Sequence, residues 1–408
     1  MAESTRALIL LASRPESVEI AVREVQPEVL AVIVSQEVLE AVVMKGTELK
    51  GETRLLYRMV DDPMEISDAF RKFELALSDL AALGYGRAEI FLDATGGTTP
   101  MRLGAALAAM TRGIEMVHQR VPQVYVGGRW ERDESREVEV APMGNPLEAT
   151  GLLREGQAVE LFNRRDYGAA ALVFKDITLK VSGAERGHYY RGLLLLSEGY
   201  AAWDVADYAV ALEKLREARD ELGMGFSEAA LTERAEALVD RISVHLPFLG
   251  KVRGRLSLEN VVDMLENARR RIADQGRYDD GVARLYRCVE MYHQWRLQSR
   301  GVSTGKVGWE KVNGEVRQRF LKEARLEELP ELLPLHYARL LDRVVSGEDV
   351  EDVAVLRDLL QKRNRSILAH GLEPIDREAA LRFLEYVGGL VAGSDVRYPA
   401  THTTLRRL

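Results

Sequence analysis

The stretch "AEIFLDATGGTTPMRLGAALAAM", residues 88–110, contains a complete strand–turn–helix unit. Ala88–Leu92 is a short apolar run, typical of a buried strand in a parallel sheet. Thr99 is a favourable N-cap residue, and Pro100 would occupy the first helical position, where its missing N–H costs nothing. Met101–Thr111 is rich in Ala and Leu and therefore predicts a helix. The stretch thus predicts an α/β sheet.

Residues 93–99, which we call the glycine loop, would expose backbone N–H groups and the positive end of the following helix dipole. Such a turn suits an anion or the polar edge of a ligand. It is not a Walker A loop, because no lysine precedes Thr98 or Thr99. It is not a dinucleotide fingerprint, because that motif belongs in the first strand–helix turn and residues 8–21 contain no glycine. A tight connection that binds no ligand is the alternative.

Residues 1–145 alternate apolar strands with helical segments, which predicts a parallel, Rossmann-like sheet. The predicted strands are Arg6–Leu11, Leu30–Ser35, Arg54–Met59, Ala88–Leu92, Ile114–His118 and Glu137–Val140. The predicted helices are Val18–Glu24, Glu65–Leu83 and Met101–Thr111. Ligands of such sheets bind beyond the carboxyl ends of the strands. Two loops belong there, residues 13–17 and the glycine loop, so we expect them to flank one pocket.

The whole chain has the composition of an ordinary globular protein. Its 408 residues predict two or three domains, and 46% of them are hydrophobic and 29% charged. No apolar run approaches the ~18 residues of a membrane span, and the N-terminus has no signal-peptide pattern. Cys288 is the only cysteine, so no internal disulfide or cysteine metal site can form. These features favour a cytoplasmic protein whose net charge of −8 leaves only a local basic patch for nucleic acid.

Residues 146–250 predict a helical scaffold with a weak internal repeat. The segments "RRDYGAAALVF" and "VADYAVALEKL" place Tyr167 and Tyr208 41 residues apart, each in an Asp-Tyr-x-x-Ala context. This pattern predicts a TPR-like pair of helical hairpins. Chance similarity within an alanine-rich helical region is the alternative.

Residues 251–408 predict a helical bundle that is basic at both ends, at Arg269–Arg271 and at Lys362–Arg365. The stretch "LRDLLQKRNRSILAHG", residues 356–371, predicts a helix that includes His370 in its last turn, with Gly371 as the C′ residue. The helix dipole would favour protonated His370 there. At about 100° per residue, Arg363 shares a helix face with His370, whereas Arg365 points away.

Arginine, asparagine and histidine in this segment predict cleavage of a phosphodiester without a metal. A base would remove a proton from a 2′-hydroxyl, and arginine would stabilise the charged phosphorane. The sequence contains no recognised zinc-binding, calcium-binding or serine-hydrolase motif. A helix-capping histidine with solvated basic neighbours is the alternative.

Together these features resemble the CARF–HEPN ribonucleases of type III CRISPR systems, the Csm6-like group. The segment "LDATGGTTPMRLGAALA" resembles a CARF sensor domain, and "RNRSILAHG" matches the R-x(4–6)-H motif of HEPN ribonucleases. Four residues separate Arg365 from His370, and six separate Arg363 from His370. The commonest HEPN motif has asparagine directly after the arginine, as in Arg363-Asn364, whereas the commonest spacing selects Arg365. Which arginine is catalytic is therefore open, with Arg365 favoured by family spacing.

The resemblance implies a CARF-like Rossmann-type domain at residues 1–145, a TPR-like linker at 146–250 and a HEPN-like domain at 251–408. It implies an antiviral endoribonuclease that cuts single-stranded RNA and leaves 2′,3′-cyclic phosphate and 5′-hydroxyl ends. No metal or cofactor is implied. A cyclic oligoadenylate would activate the enzyme. A homodimer is also implied, in which both protomers contribute to the ligand site and to the nuclease site.

The resemblance also implies which residues form the two sites. The catalytic residues would be Arg365, His370, Asn364 and Arg363. The cyclic oligoadenylate would be bound by Ser13, Arg14, Asp93, Thr95, Gly96, Gly97, Thr98 and Thr99.

Two other functions stay open at this stage. The first is a CARF sensor that regulates transcription without nuclease chemistry, although the sequence shows no winged-helix or helix-turn-helix pattern. The second is a CARF ring nuclease that degrades its own activator. Ser13, Thr98 and Thr99 could position a 2′-hydroxyl of the ring for that reaction.

Overall fold

The chain forms two compact units in the computed structural model. One unit is Met1–Leu153 with Lys180–Ser182, and the other is Arg154–Leu179 with Gly183–Leu408. The structure describes residues 6–49, 51, 53–120, 122–133, 135–136, 138–305, 307–347, 353–369, 371–392, 395–396, 398–399 and 402–406. The predicted division into three domains, at 145/146 and 250/251, stays a prediction. Among the described helices, none is both long enough and apolar enough to cross a bilayer.

The N-terminal unit contains eight strands in its described part. They are β1 (Ala7–Ala12), β2 (Val29–Ser35), β3 (Arg54–Val60), β4 (Ile90–Asp93), β5 (Glu115–Arg120), β6 (Gln123–Val126), β7 (Arg129–Arg132) and β8 (Glu139–Met143). Six of them form one sheet in the order β3-β2-β1-β4-β5-β8, and β6 pairs with β7 separately. Only β8 runs antiparallel to its neighbour in the large sheet. The predicted Rossmann-like parallel sheet is confirmed, with one antiparallel edge strand.

The helices of this unit cover both faces of the sheet. They are α1 (Pro15–Ile20), continued by a wide turn at Ala21–Val25, then α2 (Gln36–Glu48), α3 (Ile66–Ala82), α4 (Thr99–Arg112) and α5 (Pro146–Ala149). Alternate residues of β1 enter two separate cores, because side chains along a strand point to opposite faces. Ile9 and Leu11 pack with α3 and α4, whereas Leu8 and Leu10 pack on the face that α1 and α2 cover.

Sequence reasoning missed two features of the N-terminal unit. No element was predicted at α2, whose sequence mixes valines and a glycine with good helix formers. The β6–β7 hairpin was also missed, although Gly127 and Gly128 form its turn and both have positive φ, at 60° and 89°. A Gly-Gly pair between two strands is a strong hairpin signal, because these turns need left-handed backbone.

The helical unit begins with two hairpins that share the same turn. Its first helices are α6 (Leu152–Asn163), α7 (Tyr167–Lys180), α8 (Ala184–Asp204), α9 (Tyr208–Leu222) and α10 (Ala229–Val252). Arg165 and Ala206, each two residues before the repeated tyrosine, have φ values of 65° and 62°. The next residue in each turn, Asp166 or Asp207, accepts a backbone N–H of the following helix at 3.3 and 3.2 Å. The predicted pair of helical hairpins is therefore confirmed.

The rest of this unit is a helical bundle, as predicted. Its helices are α11 (Leu258–Arg269), continued by a wide turn at Arg270–Asp274, then α12 (Tyr278–Ser299), α13 (Gly314–Ala324), α14 (Leu335–Ser346), α15 (Val353–Arg365) and α16 (Arg377–Val391). Apolar residues of α11, α12, α15 and α16 form the main core. A second, smaller core surrounds Phe320 of α13.

The basic run at Arg269–Arg271 does not form an exposed patch, because Arg270 and Arg271 are buried and only Arg269 is exposed. Arg271 forms an ion pair with Asp204 of α8 and donates to Gln275 at 2.7 Å. Arg270 donates to the hydroxyl of Tyr398 at 3.1 Å. Buried charges are stable only when they are paired. The partner of Arg271, Asp204, lies on a helix far away in sequence. The scaffold helices and the bundle therefore share one polar interior.

Candidate functional site

The glycine loop lies beside the loop that follows β1. Strands β1 and β4 are parallel neighbours, with Leu10 opposite Asp93, so both loops leave the same edge of the sheet. A Cβ on Gly96 would overlap the carbonyl oxygen of Leu11 and approach the backbone nitrogen of Ser13 to 3.3 Å. The two loops are therefore adjacent, and the pocket that they were expected to flank stays a prediction. The strand order reverses between β1 and β4, which is where ligands of open α/β sheets bind.

The two glycines of the loop are required by the fold itself. Gly96 is buried against the end of β1, where no side chain fits. Gly97 has φ of 79°, a left-handed conformation that side chains disfavour. These constraints account for both glycines without a ligand, and they bring the loop backbone close to β1.

Thr98, not Thr99, is the N-cap of α4. The Thr98 hydroxyl accepts the N–H of Met101 at 3.3 Å and donates to the carbonyl of Pro63. The predicted cap at Thr99 is wrong, and Pro100 is the second helical residue. Thr99 is exposed, and its hydroxyl accepts a hydrogen bond from Arg102 at 3.3 Å. The contact to Pro63 decides which threonine caps the helix, and a local sequence pattern cannot show that contact.

Asp93 lies beneath the glycine loop and is fully buried. One carboxylate oxygen accepts the N–H of Thr95 at 2.9 Å, and the other accepts the side-chain amide of Gln119 at 2.7 Å. Burial raises the pKa of Asp93 above its ordinary value. In this structure the carboxylate organises the loop from below, and direct contact between Asp93 and a ligand stays a prediction.

Gln119 on β5 is the residue that sequence reasoning missed. Its backbone N–H donates to the Thr95 hydroxyl at 2.6 Å, and its side chain holds Asp93. It is buried, although it lies between the polar residues His118 and Arg120 of an edge-proximal strand. The predicted strand ends at His118, so no local pattern marks Gln119 as a buried strand residue with specific partners.

Several polar groups are exposed at the sheet edge beside the glycine loop, where they could bind an anion. Ser13, Arg14 and Thr99 are exposed, and Thr95 and Gly97 are half-buried. Arg14 has no ion pair with any residue that the structure describes. The N-terminal N–H groups of α4 add a positive partial charge. The structure therefore brings together seven of the eight predicted contact residues around one edge, with Asp93 below them.

Helix α15 ends at Arg365, five residues earlier than predicted. The amides of Ala369 and Gly371 donate to the carbonyl of Ser366 at 3.0 and 3.1 Å, and the amide of Glu373 donates to the carbonyl of Arg365 at 3.0 Å. The predicted C′ role of Gly371 is wrong, because the helix ends six residues before it, and Gly371 instead lies where a Cβ would overlap the backbone of Arg365. The returning chain occupies the carbonyls that a longer helix would use.

The two candidate arginines have different surroundings. The guanidinium carbon of Arg363 lies 4.2 Å from the centre of the Tyr286 ring, and its Nη1 donates to the Asn364 side chain at 3.1 Å. Arg365 and Asn364 are exposed, and the Arg365 side chain has no hydrogen bond, ion pair or ring contact with the described part of the chain. His370 lies outside the described residues. The helical-face argument for Arg363 fails because α15 does not reach position 370.

Large apolar side chains are exposed beside these polar groups. Ile367, Leu368 and Leu372 are 63%, 53% and 88% exposed. Among the described residues, no group of three or more His, Cys, Asp or Glu side chains could hold a metal ion.

Comparison with known proteins identifies both halves of the helical unit. Residues 151–244 match the family model described as the Csm6 6H domain, and residues 254–393 match the Csm6 HEPN domain. Together these matches span more than half of the chain. No curated protein sequence matches this chain.

One solved structure has the same fold over nearly the whole length. The protein described as Enterococcus italicus Csm6 bound to cyclic hexa-2′-fluoro-hexa-dAMP aligns with a TM-score of 0.53 and 11% identity, covering 96% of this chain and 94% of that chain. Can2 from Sulfobacillus thermosulfidooxidans in complex with cyclic tetra-adenylate aligns at a TM-score of 0.25 and 15% identity, covering 52% and 66%. A type III CRISPR defence DNA nuclease activated by cyclic oligoadenylate aligns at 0.26 and 12%, covering 60% and 35%. The two lower scores carry no weight here. On the evidence of the two family models and the shared fold, this chain belongs to the Csm6-like family of CARF–HEPN proteins.

Proposed function

We propose that this protein is an endoribonuclease of type III CRISPR antiviral defence that a cyclic oligoadenylate activates. The observation that carries the proposal is the match of residues 254–393 to the Csm6 HEPN domain, because that range contains Arg363, Asn364, Arg365 and His370. The Enterococcus italicus relative, with the same fold, is described as bound to a cyclic hexa-adenylate analogue. We assign the enzyme to the cytoplasm by resemblance to its family.

The proposed reaction uses only groups of the protein and of the RNA. A base, which we assign to His370, removes the proton of a 2′-hydroxyl as its oxygen attacks the adjacent phosphorus. The bond from phosphorus to the 5′-oxygen breaks, and that oxygen leaves with a proton. The products are a 2′,3′-cyclic phosphate and a 5′-hydroxyl. Because the nucleophile is part of the RNA, the reaction needs neither an activated water nor a metal ion.

Arg365 is our choice for the arginine that stabilises the phosphorane. It is exposed and free to make the paired N–H contacts that guanidinium groups make with phosphate oxygens. Arg363 is already stacked on Tyr286 and bonded to Asn364. We therefore propose that Arg363 and Asn364 hold the site in shape and do not contact the phosphorane.

The activator site is proposed at the sheet edge where the glycine loop meets the loop after β1. Arg14 is exposed, has no ion pair with a described residue and suits a phosphate, while Ser13, Thr95 and Thr99 supply hydroxyls. The backbone of Gly96, Gly97 and Thr98 supports the edge from which these groups project. Asp93 shapes the loop from beneath.

A homodimer with a shared nuclease site is also proposed. Ile367, Leu368 and Leu372 are exposed within eight residues of Arg365, a concentration of apolar surface next to charged groups. A second copy of this chain would cover that surface and place two Arg365 side chains near each other. Burial of such side chains is the main driving force of association.

The direct test is cleavage of single-stranded RNA by the purified protein with cyclic oligoadenylates of four and six units, in the presence of EDTA. We expect one ring to stimulate cleavage and the products to carry cyclic phosphate ends. Absence of stimulated cleavage with either ring, or loss in EDTA with rescue by Mg²⁺ or Mn²⁺, would contradict the proposal. The same reactions, analysed for linear oligoadenylate, test whether the protein also degrades its activator.

A further inference from the structure

Helix α12 presents two side chains to the segment that carries the HEPN motif. We call residues 363–375 the motif segment. Asp279 and Tyr286 lie seven residues apart on α12, two helical turns, and therefore on the same face of the helix. One of them contacts the beginning of the motif segment and the other contacts its end.

Tyr286 contacts the beginning of the segment. Its ring centre lies 4.2 Å from the guanidinium carbon of Arg363, well within the range of a cation–π contact. Tyr286 packs against the main core of the bundle, which restricts the movement of its ring. Arg363 in turn donates to the side chain of Asn364 at 3.1 Å. The ring therefore restricts the last turn of α15, which also carries Arg365.

Asp279 contacts the end of the segment. Its Oδ2 accepts the backbone N–H of Ile375 at 3.2 Å, and Ile375 is buried in the core. Two residues earlier, the N–H of Glu373 donates to the carbonyl of Arg365. The returning part of the segment is thus bonded to the start of the segment, at Arg365 and Ser366, and to α12 at Asp279. Asp279 lies in the first turn of α12, where the helix dipole stabilises a carboxylate.

The start of α12 is itself fixed to the scaffold helices. Asp280, next to Asp279, lies 3.2 Å from Nε of Arg271 and forms an ion pair with Arg284. Arg271 forms a buried ion pair with Asp204 of α8. Asp279 therefore projects from a helix end whose position is set by a buried network of charges.

We propose that Asp279 and Tyr286 are positioning residues that hold the two ends of the motif segment in the arrangement that cleaves RNA. Neither residue would touch the substrate. The inference rests on the proposed ribonuclease function, and it adds to that function two residues outside the HEPN motif. Preorganised groups accelerate a reaction because the site need not rearrange as charge develops.

The test compares a disruptive and a conservative variant at each position. Tyr286→Leu removes the ring, whereas Tyr286→Phe keeps it. Asp279→Ala removes the acceptor, whereas Asp279→Asn keeps one. We expect Tyr286→Leu and Asp279→Ala to lower kcat by about tenfold, with KM for RNA and the half-maximal activator concentration unchanged. Tyr286→Phe and Asp279→Asn should stay within about twofold of the unmodified enzyme.

A double variant tests whether Tyr286 acts through Arg363. If it does, the double variant Tyr286→Leu/Arg363→Ala should have a kcat no lower than that of the slower single variant. If the two residues act independently, their losses in activation free energy should add. Additive losses, or a raised KM as the main effect, would overturn the inference for Tyr286. Equal losses in Asp279→Asn and Asp279→Ala would overturn it for Asp279.

Amide hydrogen exchange gives a readout that does not depend on activity. In the full-length protein, Asp279→Ala should accelerate exchange of the Ile375 and Glu373 amides, and Asp279→Asn should not. Unchanged amide exchange in Asp279→Ala would refute the positioning role of Asp279, even if the protein cleaved no RNA. A protein that shows the expected exchange pattern but no activated cleavage would instead contradict the proposed function.

Discussion

The side-chain amide of Gln119 donates to the buried carboxylate of Asp93 at 2.7 Å. This bond joins β5 to the glycine loop, because Asp93 also accepts the N–H of Thr95. A charged group at full burial is costly unless it is well bonded, and here burial raises the pKa of Asp93. The loop therefore owes its shape to a carboxylate that solvent does not reach.

The first prediction concerns the pH dependence of stability. Because the pKa of Asp93 is raised in the folded state, its contribution is fully present below the ordinary Asp pKa and is lost as pH rises through the folded value. Asp93→Asn keeps the shape and removes the charge, and Gln119 can turn its amide to accept. We expect a higher melting temperature than the unmodified protein at neutral pH, and a difference that disappears at acidic pH.

Thermal melts from about pH 4 to pH 8 measure this difference, with Glu24→Gln as the control. Glu24 is an exposed carboxylate of the same unit, so its variant controls for the loss of one negative charge. A difference between Asp93→Asn and the unmodified protein that stays constant with pH would contradict the prediction.

The second prediction separates the two threonines. Thr98→Ala removes the cap of α4 and should cost about 1 kcal/mol of stability, whereas Thr99→Ala should leave the melting temperature unchanged. Thr99→Ala should raise the activator concentration needed for half-maximal cleavage, because its exposed hydroxyl is a proposed ligand contact. Titration of RNase rate against activator, with melting curves for both variants, measures this. Lower stability in Thr99→Ala than in Thr98→Ala would reverse the assignment of the cap.

The third prediction concerns the close contact between Gly96 and β1. Gly96→Ala forces a Cβ into the carbonyl of Leu11 and should destabilise the N-terminal unit by about 1–3 kcal/mol. Gly144→Ala is the matched control, since Gly144 has open space around it and lies in the same unit. Urea unfolding of both variants measures the effect. Equal stability of the two variants would show that the loop can move away from β1 without cost.

The fourth prediction concerns the arginines. Arg365→Ala should reduce turnover by roughly 10²-fold, the scale of a lost group that stabilises the transition state. Arg363→Ala should reduce it by about tenfold, since we assign that residue to support. Arg357→Ala, an exposed arginine two turns earlier on α15, serves as control. An inactive Arg363→Ala beside a nearly normal Arg365→Ala would show that the assignment is inverted.

The fifth prediction concerns the dimer. Leu372→Asp places a charge in the exposed apolar surface beside Arg365 and should weaken association and activated cleavage together. Leu172→Asp is the control, because Leu172 of α7 is also exposed, at 71%, and lies outside the motif segment. Sedimentation velocity over a range of concentrations measures the effect. Unaltered association of Leu372→Asp would exclude this surface from the dimer interface.

The sequence predicts the N-terminal sheet well because its signals are local. Short apolar runs such as Leu30–Ser35 are buried on both faces, and the structure places β2 at Val29–Ser35. The repeat was also readable, since the same Asp-Tyr pair follows the same turn twice. The adjacency of the two loops followed from the general rule that parallel strands end at a common edge.

What the sequence could not predict depends on contacts between distant segments. Thr98 rather than Thr99 caps α4 because Pro63, on another loop, meets its hydroxyl. Helix α15 ends at Arg365 because the N–H of Glu373 donates to the carbonyl of Arg365 and the N–H of Gly371 donates to that of Ser366. The burial of Arg271 depends on Asp204 of α8, a partner far away in sequence. Each of these outcomes is set by a group that lies outside any local window.

The buried ion pair of Arg271 and Asp204 also limits how recombination can separate the HEPN bundle from the scaffold helices. A HEPN bundle cut from its scaffold would lose Asp204 and leave Arg271 without its buried partner, and Asn267 would lose the carbonyl that it binds at 2.9 Å. Arg271 would keep Asp280, 3.2 Å from its Nε, but the loss of one carboxylate partner from a buried guanidinium still costs up to several kcal/mol, a large part of the stability of a small domain. Recombination that carried the nuclease to a new sensor would therefore have to carry α8 with it, so the two helical parts should be inherited as one piece.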